Sequence, residues 1–204
     1  GAFGMEPWHA SIQDAYELLQ GKKFEMQNYP MWEKESLKDE EHPLAAYHVT
    51  EPFVLHTNKK EGKSFKIEGR LLGGCLDCLS HLRGTKFDKV KEFNQKYEDD
   101  GILWFLESCD LNVFEMRRTL WSLKQAGWFD TCRGFLIGRP GVQGQIIAGL
   151  DQYEAVLSIL SEFDVPIFMD LDIGHVAPMI PLICGSYGKV TVVGNDCCIA
   201  MSLQ

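Results

Sequence analysis

The chain has 204 residues, 45% of them hydrophobic and 24% charged, proportions that disfavour disorder, collagen-like repeats and coiled coils. Its 29 acidic against 20 basic side chains give a net charge of −9, which offers no general attraction to nucleic acid or anionic lipid. No apolar run reaches the roughly 18 residues that a membrane helix needs, so the expectation is one soluble domain with neither a nucleic-acid nor a membrane partner.

Residues 5–20 carry Met5, Trp8, Ile12, Ala15, Tyr16 and Leu19 at near-helical spacing before Gly21, and a helix over about 7–20 is expected. Charges crowd without period over 33–41, which reads as a solvated loop. A strand is expected at 52–57, a turn at 58–63 and a second strand from 65 to 72 that ends in Gly73-Gly74; together these suggest a hairpin. The second half alternates short apolar runs with amphipathic helices. Residues 102–106, 134–138 and 166–169 are apolar on both faces, as strands buried in a parallel sheet are. A helix is expected from an Asp110 N-cap to Gly127, burying Leu111, Phe114, Met116, Leu120, Trp121 and Leu123. Another opens on Asp151 with Glu154 three residues on, burying Val156, Leu157, Ile159, Leu160 and Phe163. A hairpin is expected over 189–203. The fold class is α/β with a partly parallel sheet.

Functional groups in such sheets gather at the carboxyl ends of strands. Glu107 directly follows the apolar run 102–106, and His175 follows the strand at 166–169 through a loop in which Gly174 frees the backbone. An imidazole can take a proton from a hydroxyl nucleophile while a carboxylate on its second nitrogen holds the tautomer. Glu107 could supply that carboxylate, with Asp170 and Asp172 as competitors. Equally, Glu107 could be a solvated strand-end residue and His175 a structural one. No Gly-x-Ser-x-Gly elbow occurs, so the residues identify no nucleophile.

Cys75-Leu76-Asp77-Cys78 has the spacing of half a zinc site or of a redox pair. Zinc would need a second chelating pair, and Cys197-Cys198 are adjacent rather than spaced, so no metal site is expected. A redox role would need a thiol of lowered pKa at a helix start; the plainer reading is of small, partly buried side chains. Gly73-Gly74 could cradle an anion before a helix. Trp32 could stack on a base or ring, or simply cover a core edge. Seven cysteines, an odd number, fit a reducing, cytoplasmic setting. The chain opens Gly1-Ala2-Phe3-Gly4 without an initiator Met, as a fragment would.

The order of several motifs is more specific than any one of them. Leu71-Leu72-Gly73-Gly74-Cys75-Leu76-Asp77-Cys78-Leu79 with Gly84-Thr85, the run from Asp100 to Glu107, the run from Arg118 to Gly127, Gly134-Phe135-Leu136-Ile137-Gly138 and Asp172-Ile173-Gly174-His175 resemble the C-terminal domain of the LD-carboxypeptidase family. That family includes muramoyl-tetrapeptide carboxypeptidases of peptidoglycan recycling and microcin C self-immunity peptidases. The likeness runs over about residues 5–203.

The resemblance implies that 1–204 form one C-terminal domain of the swivelling β/β/α type. It also implies a serine peptidase whose N-terminal domain, upstream of Gly1, carries the nucleophilic Ser and the oxyanion-hole amide. Glu107 and His175 match the Glu and His of the family's Ser-His-Glu triad. Gly74 and Cys75 match its substrate-facing loop, where Cys75 stands in place of the usual Asn, and Trp32 would stack on a nucleobase-like or aromatic group. The substrate would be a cell-wall tetrapeptide or a peptide-nucleotide antibiotic, with no cofactor, and a homodimer would be common for the family. The alternative is a non-catalytic domain that binds a peptide or nucleotide through Gly73-Gly74 and Trp32.

Overall fold

The computed structural model describes residues 2–59 and 64–203. Its elements in chain order are α1 (Ala10–Leu19), β1 (Glu25–Gln27), β2 (Met31–Trp32), β3 (Glu51–Pro52), β4 (His56–Thr57), β5 (Ser64–Cys75), α2 (Leu76–Leu82), α3 (Val90–Lys96), β6 (Ile102–Glu107), α4 (Val113–Gln125), β7 (Cys132–Gly138), α5 (Gln152–Leu160), β8 (Ile167–Leu171), β9 (Tyr187–Val193) and β10 (Asp196–Ser202). One eight-stranded sheet runs β1-β10-β9-β5-β6-β7-β8-β4. Strands β5, β6, β7 and β8 are parallel neighbours, whereas β1, β10, β9 and β4 pair antiparallel. Strands β2 and β3 form a separate short ladder.

The apolar runs are continuous because both faces of the parallel strands are covered. Along β6, Ile102, Trp104 and Leu106 enter a core with Met116, Leu120 and Leu123 of α4 and Val156, Ile159 and Leu160 of α5. Leu103 points the other way and packs with Leu71, Leu136, Phe168, Val190 and Ile199. Trp104 stacks on Trp128 with ring centroids 5.9 Å apart and meets Phe129 edge-on at 5.1 Å. Apolar burial of this kind is the main force fixing β6, and so the position of the residue that follows its apolar run.

Several expectations need correction. Residues 52–57 and 65–72 make no hairpin: β4 pairs with β8 at one edge of the sheet, while β5 lies between β6 and β9 near its middle. The expected strand at 52–57 is also broken into β3 and β4, and the expected turn at 58–63 falls mostly outside the described residues. Strand β5 does not stop at Gly73-Gly74 but runs through Cys75, with Gly73 opposite Phe105 and Gly74 opposite Leu106. The paired glycines are therefore part of a strand rather than a loop that cradles an anion.

Helix α1 opens on a His9 cap whose side chain accepts from Ser11 N. Ile12 is buried, but Trp8, Tyr16 and Leu19 are exposed; Phe3 and Tyr16 each pack edge-on against Trp8 at the surface. Helix α4 starts two residues later than Asp110 suggests, because Asn112 and Glu115 form a reciprocal capping box. Its exposed face carries Trp121, and Val113 is buried instead. Glu33, placed by its charge in the solvated loop, is buried and accepts from His48 N at 2.8 Å. The remaining acidic residues of 33–41 are exposed, as expected.

Candidate active site

Glu107 ends β6, and the alternation that points Leu106 into the helical layer turns Glu107 toward the opposite side. Two glycines make room for it. A Cβ at Gly174 would lie 2.4 Å from Glu107 Cγ, and one at Gly138 would lie 3.0 Å from Glu107 Cβ and 2.0 Å from the Ile173 carbonyl oxygen. Gly174 also has φ +108, a conformation that an L side chain rarely adopts. The close approach of β7, β6 and the loop after β8 thus depends on hydrogen as the side chain at both positions.

This slot brings together the two residues singled out from the sequence. His175 Nδ1 lies 3.1 Å from both carboxylate oxygens of Glu107. The Glu107 side chain is 5% exposed and that of His175 57%. A buried carboxylate thus grips one ring nitrogen, leaving Nε2 on the far edge of a largely exposed imidazole. A carboxylate on Nδ1 places the proton there and presents Nε2 as the acceptor, the arrangement required of a general base.

The competitors are engaged elsewhere. Asp172 is buried, pairs with the Arg139 guanidinium and accepts from Tyr29 N at 2.7 Å. Asp170, at φ +62, accepts from Tyr153 Oη at 2.7 Å and Gln152 Nε2 at 3.1 Å and pairs with His56 at 2.7 Å. Both brace the β8 end on which the His175 loop is built.

Cys75 sits in register with Glu107 on the neighbouring parallel strand. Its Sγ donates to Asp77 Oδ2 at 3.3 Å. Burial, with hydrogen bonds to Glu107 and Asp77, pushes the thiol up to about 12. A reactive redox thiol needs the opposite shift, so the redox reading of Cys75 and Cys78 loses its basis. Asp77 accepts from Cys109 N and Asp110 N, each at 3.0 Å, and so ties the start of α2 to the loop after β6. Asp110 serves in that tie, not as a helix cap.

Trp32 lies at the end of β2, with its indole N–H donating to Pro52 O at 3.2 Å. The Arg139 guanidinium lies 5.1 Å from its ring centroid. Trp32 and Arg139 line a cavity of about 620 Å³ with His56, Gln152, Tyr153 and Asp170. Neither Glu107 nor His175 lines it, but it is joined to them by two links. Arg139 follows Gly138, which touches Glu107, and Glu33 N donates to Ala177 O at 2.7 Å, two residues beyond His175. Arg139 escaped the sequence reading, although it follows a buried strand just as Glu107 does.

The family model described as LD-carboxypeptidase C-terminal domain matches residues 68–190. The chain belongs to the LD-carboxypeptidase family. A Treponema pallidum protein curated as "Putative carboxypeptidase" is 26% identical over 177 residues, covering 85% of this chain and 45% of that protein. Among solved structures, an MccF-like protein from Streptococcus pneumoniae in complex with AMP aligns at TM-score 0.68 and 22% identity, over 95% of this chain and 57% of its own. Muramoyltetrapeptide carboxypeptidase from Oxalobacter formigenes aligns at TM-score 0.67 and 16% identity, over 100% and 58%. The microcin C7 self immunity protein MccF aligns at TM-score 0.74 and 18% identity, over 99% and 58%. At these identities the structural likeness establishes the LD-carboxypeptidase fold. The chain spans about half the length of these relatives. No helix among the described residues is long and apolar enough to cross a membrane.

Proposed function

We propose that residues 1–204 form the C-terminal domain of an LD-carboxypeptidase-type serine peptidase, in which His175 is the general base and Glu107 its orienting carboxylate. The observation that carries this reading is the grip of buried Glu107 on Nδ1 of exposed His175. The nucleophilic Ser and the oxyanion donors belong to another domain of the same protein, which approaches the exposed face of His175. His175 Nε2 takes the Ser proton as the hydroxyl attacks the scissile carbonyl, and later returns it to the leaving amine. Glu107 stabilises the imidazolium between those steps. A purely ligand-binding domain has no use for this pairing, which favours the catalytic reading. The exposed aromatic cluster of Phe3, Trp8 and Tyr16 suits burial against that domain or against a second copy in a homodimer. All seven cysteines are free, which fits a reducing, cytoplasmic setting.

The substrate is an amide within a peptide or a peptide-nucleotide conjugate, and the Trp32 cavity favours the conjugate. An indole backed by a guanidinium is a stacking surface for a flat ring, and its cavity adjoins the His175 loop. Structural neighbours are described in complex with AMP and with aspartyl sulfamoyl adenosine. Loss of a stacking aromatic costs about 1–3 kcal/mol per base. Trp32→Ala is therefore expected to weaken AMP binding by roughly five- to over a hundredfold while Trp32→Phe keeps most of it, measured by calorimetry. In the chain joined to its Ser-bearing domain, Trp32→Ala should slow cleavage of an aminoacyl-sulfamoyl adenosine far more than that of a muramoyl tetrapeptide. Equal effects on the two would remove the nucleotide reading; cleavage of neither by the unsubstituted enzyme would remove the peptidase reading.

A further inference from the structure

Cys75 does more at this site than fill space. Its Sγ, a Glu107 carboxylate oxygen and a His175 ring nitrogen all lie within 4.8 Å of one another. Two of the three donors are fixed by the backbone, because Cys75 and Glu107 are register partners on adjacent parallel strands. The third is on the exposed side chain and has room to turn. We infer that the Cys75, Glu107 and His175 side chains together form a binding site for a zinc ion.

The donor set matches the cation. Zn²⁺ takes thiolate, imidazole and carboxylate at about 2.0–2.3 Å in a tetrahedral shell, which puts ligand atoms roughly 3.2–3.8 Å apart. The His175 Nδ1–Glu107 pair is already at 3.1 Å, and closing from the 4.8 Å outer limit of the cluster needs a shift of about 1 Å. The sulfur is the softest of the three donors and selects zinc over magnesium or calcium, which prefer all-oxygen shells. On binding, Cys75 loses its proton to solvent, the His175 ring carries its proton on the nitrogen that faces away from the ion, and the metal takes a lone pair from the sulfur, the other ring nitrogen and a Glu107 oxygen. The Asp77 carboxylate beside the sulfur, anchored by two backbone N–H groups, adds negative charge that favours the cation. Three protein ligands leave a fourth position open on the ion.

Zinc held here occupies the imidazole that the peptidase reading assigns as base, so the consequence for that reaction is reversible inhibition. That consequence rests on the peptidase reading; the binding site itself rests only on the three side chains. The test is therefore made on this chain without substrate. Co²⁺ titrated into the reduced protein is expected to give a thiolate-to-cobalt charge-transfer band that saturates at one equivalent and is displaced by Zn²⁺. Cys75→Ser should abolish the band, and Cys75→Ser and His175→Ala should each weaken zinc binding by at least about tenfold, the loss that even a supporting partner of a metal ligand brings. Cys78→Ser, at an exposed thiol outside the cluster, should change neither. An unaltered band in Cys75→Ser, undiminished affinity in both cluster variants, or no binding by the unsubstituted chain would overturn the site. An assembled protein without peptidase activity whose chain still binds zinc through Cys75 would sink the peptidase reading alone.

Discussion

If the proposed function holds, replacing His175 by alanine in the chain joined to the Ser-bearing domain that it calls for is expected to lower kcat for amide hydrolysis by about a million-fold, with KM little changed. Removing the base leaves the hydroxyl nucleophile to lose its proton to water, while the binding surfaces stay in place. Glu107→Gln should cost less, about ten-thousand-fold. The amide keeps the size of the carboxylate, so it still fits between Gly138 and Gly174, but it can no longer stabilise an imidazolium or enforce the tautomer with the proton on Nδ1. The double variant should be scarcely worse than His175→Ala alone, since the two side chains act as one unit. Steady-state kinetics on the three proteins, with circular dichroism to verify folding, would check this. Additive losses would mean that Glu107 acts apart from His175.

The largest expected effect on stability comes from a glycine beside the site. A Cβ at Gly73 would lie 1.7 Å from the Phe105 carbonyl oxygen and 2.7 Å from its carbon, and Gly73 has φ +157. Both obstacles are backbone of the adjacent strand, so relief requires β5 and β6 to separate. Gly73→Ala is expected to destabilise the chain by about 3–5 kcal/mol, at the severe end for one substitution. Gly84 provides the control. It has φ +73 but nothing within 4 Å of a built Cβ, so Gly84→Ala should show only the conformational cost of about 1–2 kcal/mol. Urea unfolding of the two variants separates clash from dihedral strain. Equal losses would show that the strand contact yields more easily than its geometry implies. The two effects are connected, because the pairing that Gly73 permits also sets Cys75 opposite Glu107.

What the sequence shows of this protein depends on how local each cause is. Strands β6, β7 and β8 are legible because burial on both faces writes a continuous apolar run into a few consecutive residues. The same logic exposes Glu107 and His175 as polar groups set where buried strands end. Helix α5 is legible from its Asp151 cap, which accepts from Glu154 N as expected. The expected hairpin fails for the opposite reason: nothing within residues 52–72 records that β4 pairs with β8 and β5 with β9, since those partners lie more than a hundred residues away. Asp110 and Asn112 are equally good caps by type, and only the reach of Glu115 back to Asn112 N decides between them. The exposed Trp121 and the buried Glu33 show packing and a specific acceptor role overriding residue type. Arg139 was within reach of the strand-end rule, but its partners Asp172 and Trp32 come together only in three dimensions.

In the proposed function His175 and Glu107 activate a serine carried by another domain. A fluorophosphonate probe tests it most directly, because such reagents form a stable adduct with an activated serine. Mass spectrometry of the labelled, assembled protein should place the adduct on a Ser outside residues 1–204, with labelling slowed severely by His175→Ala and absent from this chain alone. An adduct on a residue within 1–204, or labelling that His175→Ala leaves unchanged, would contradict it.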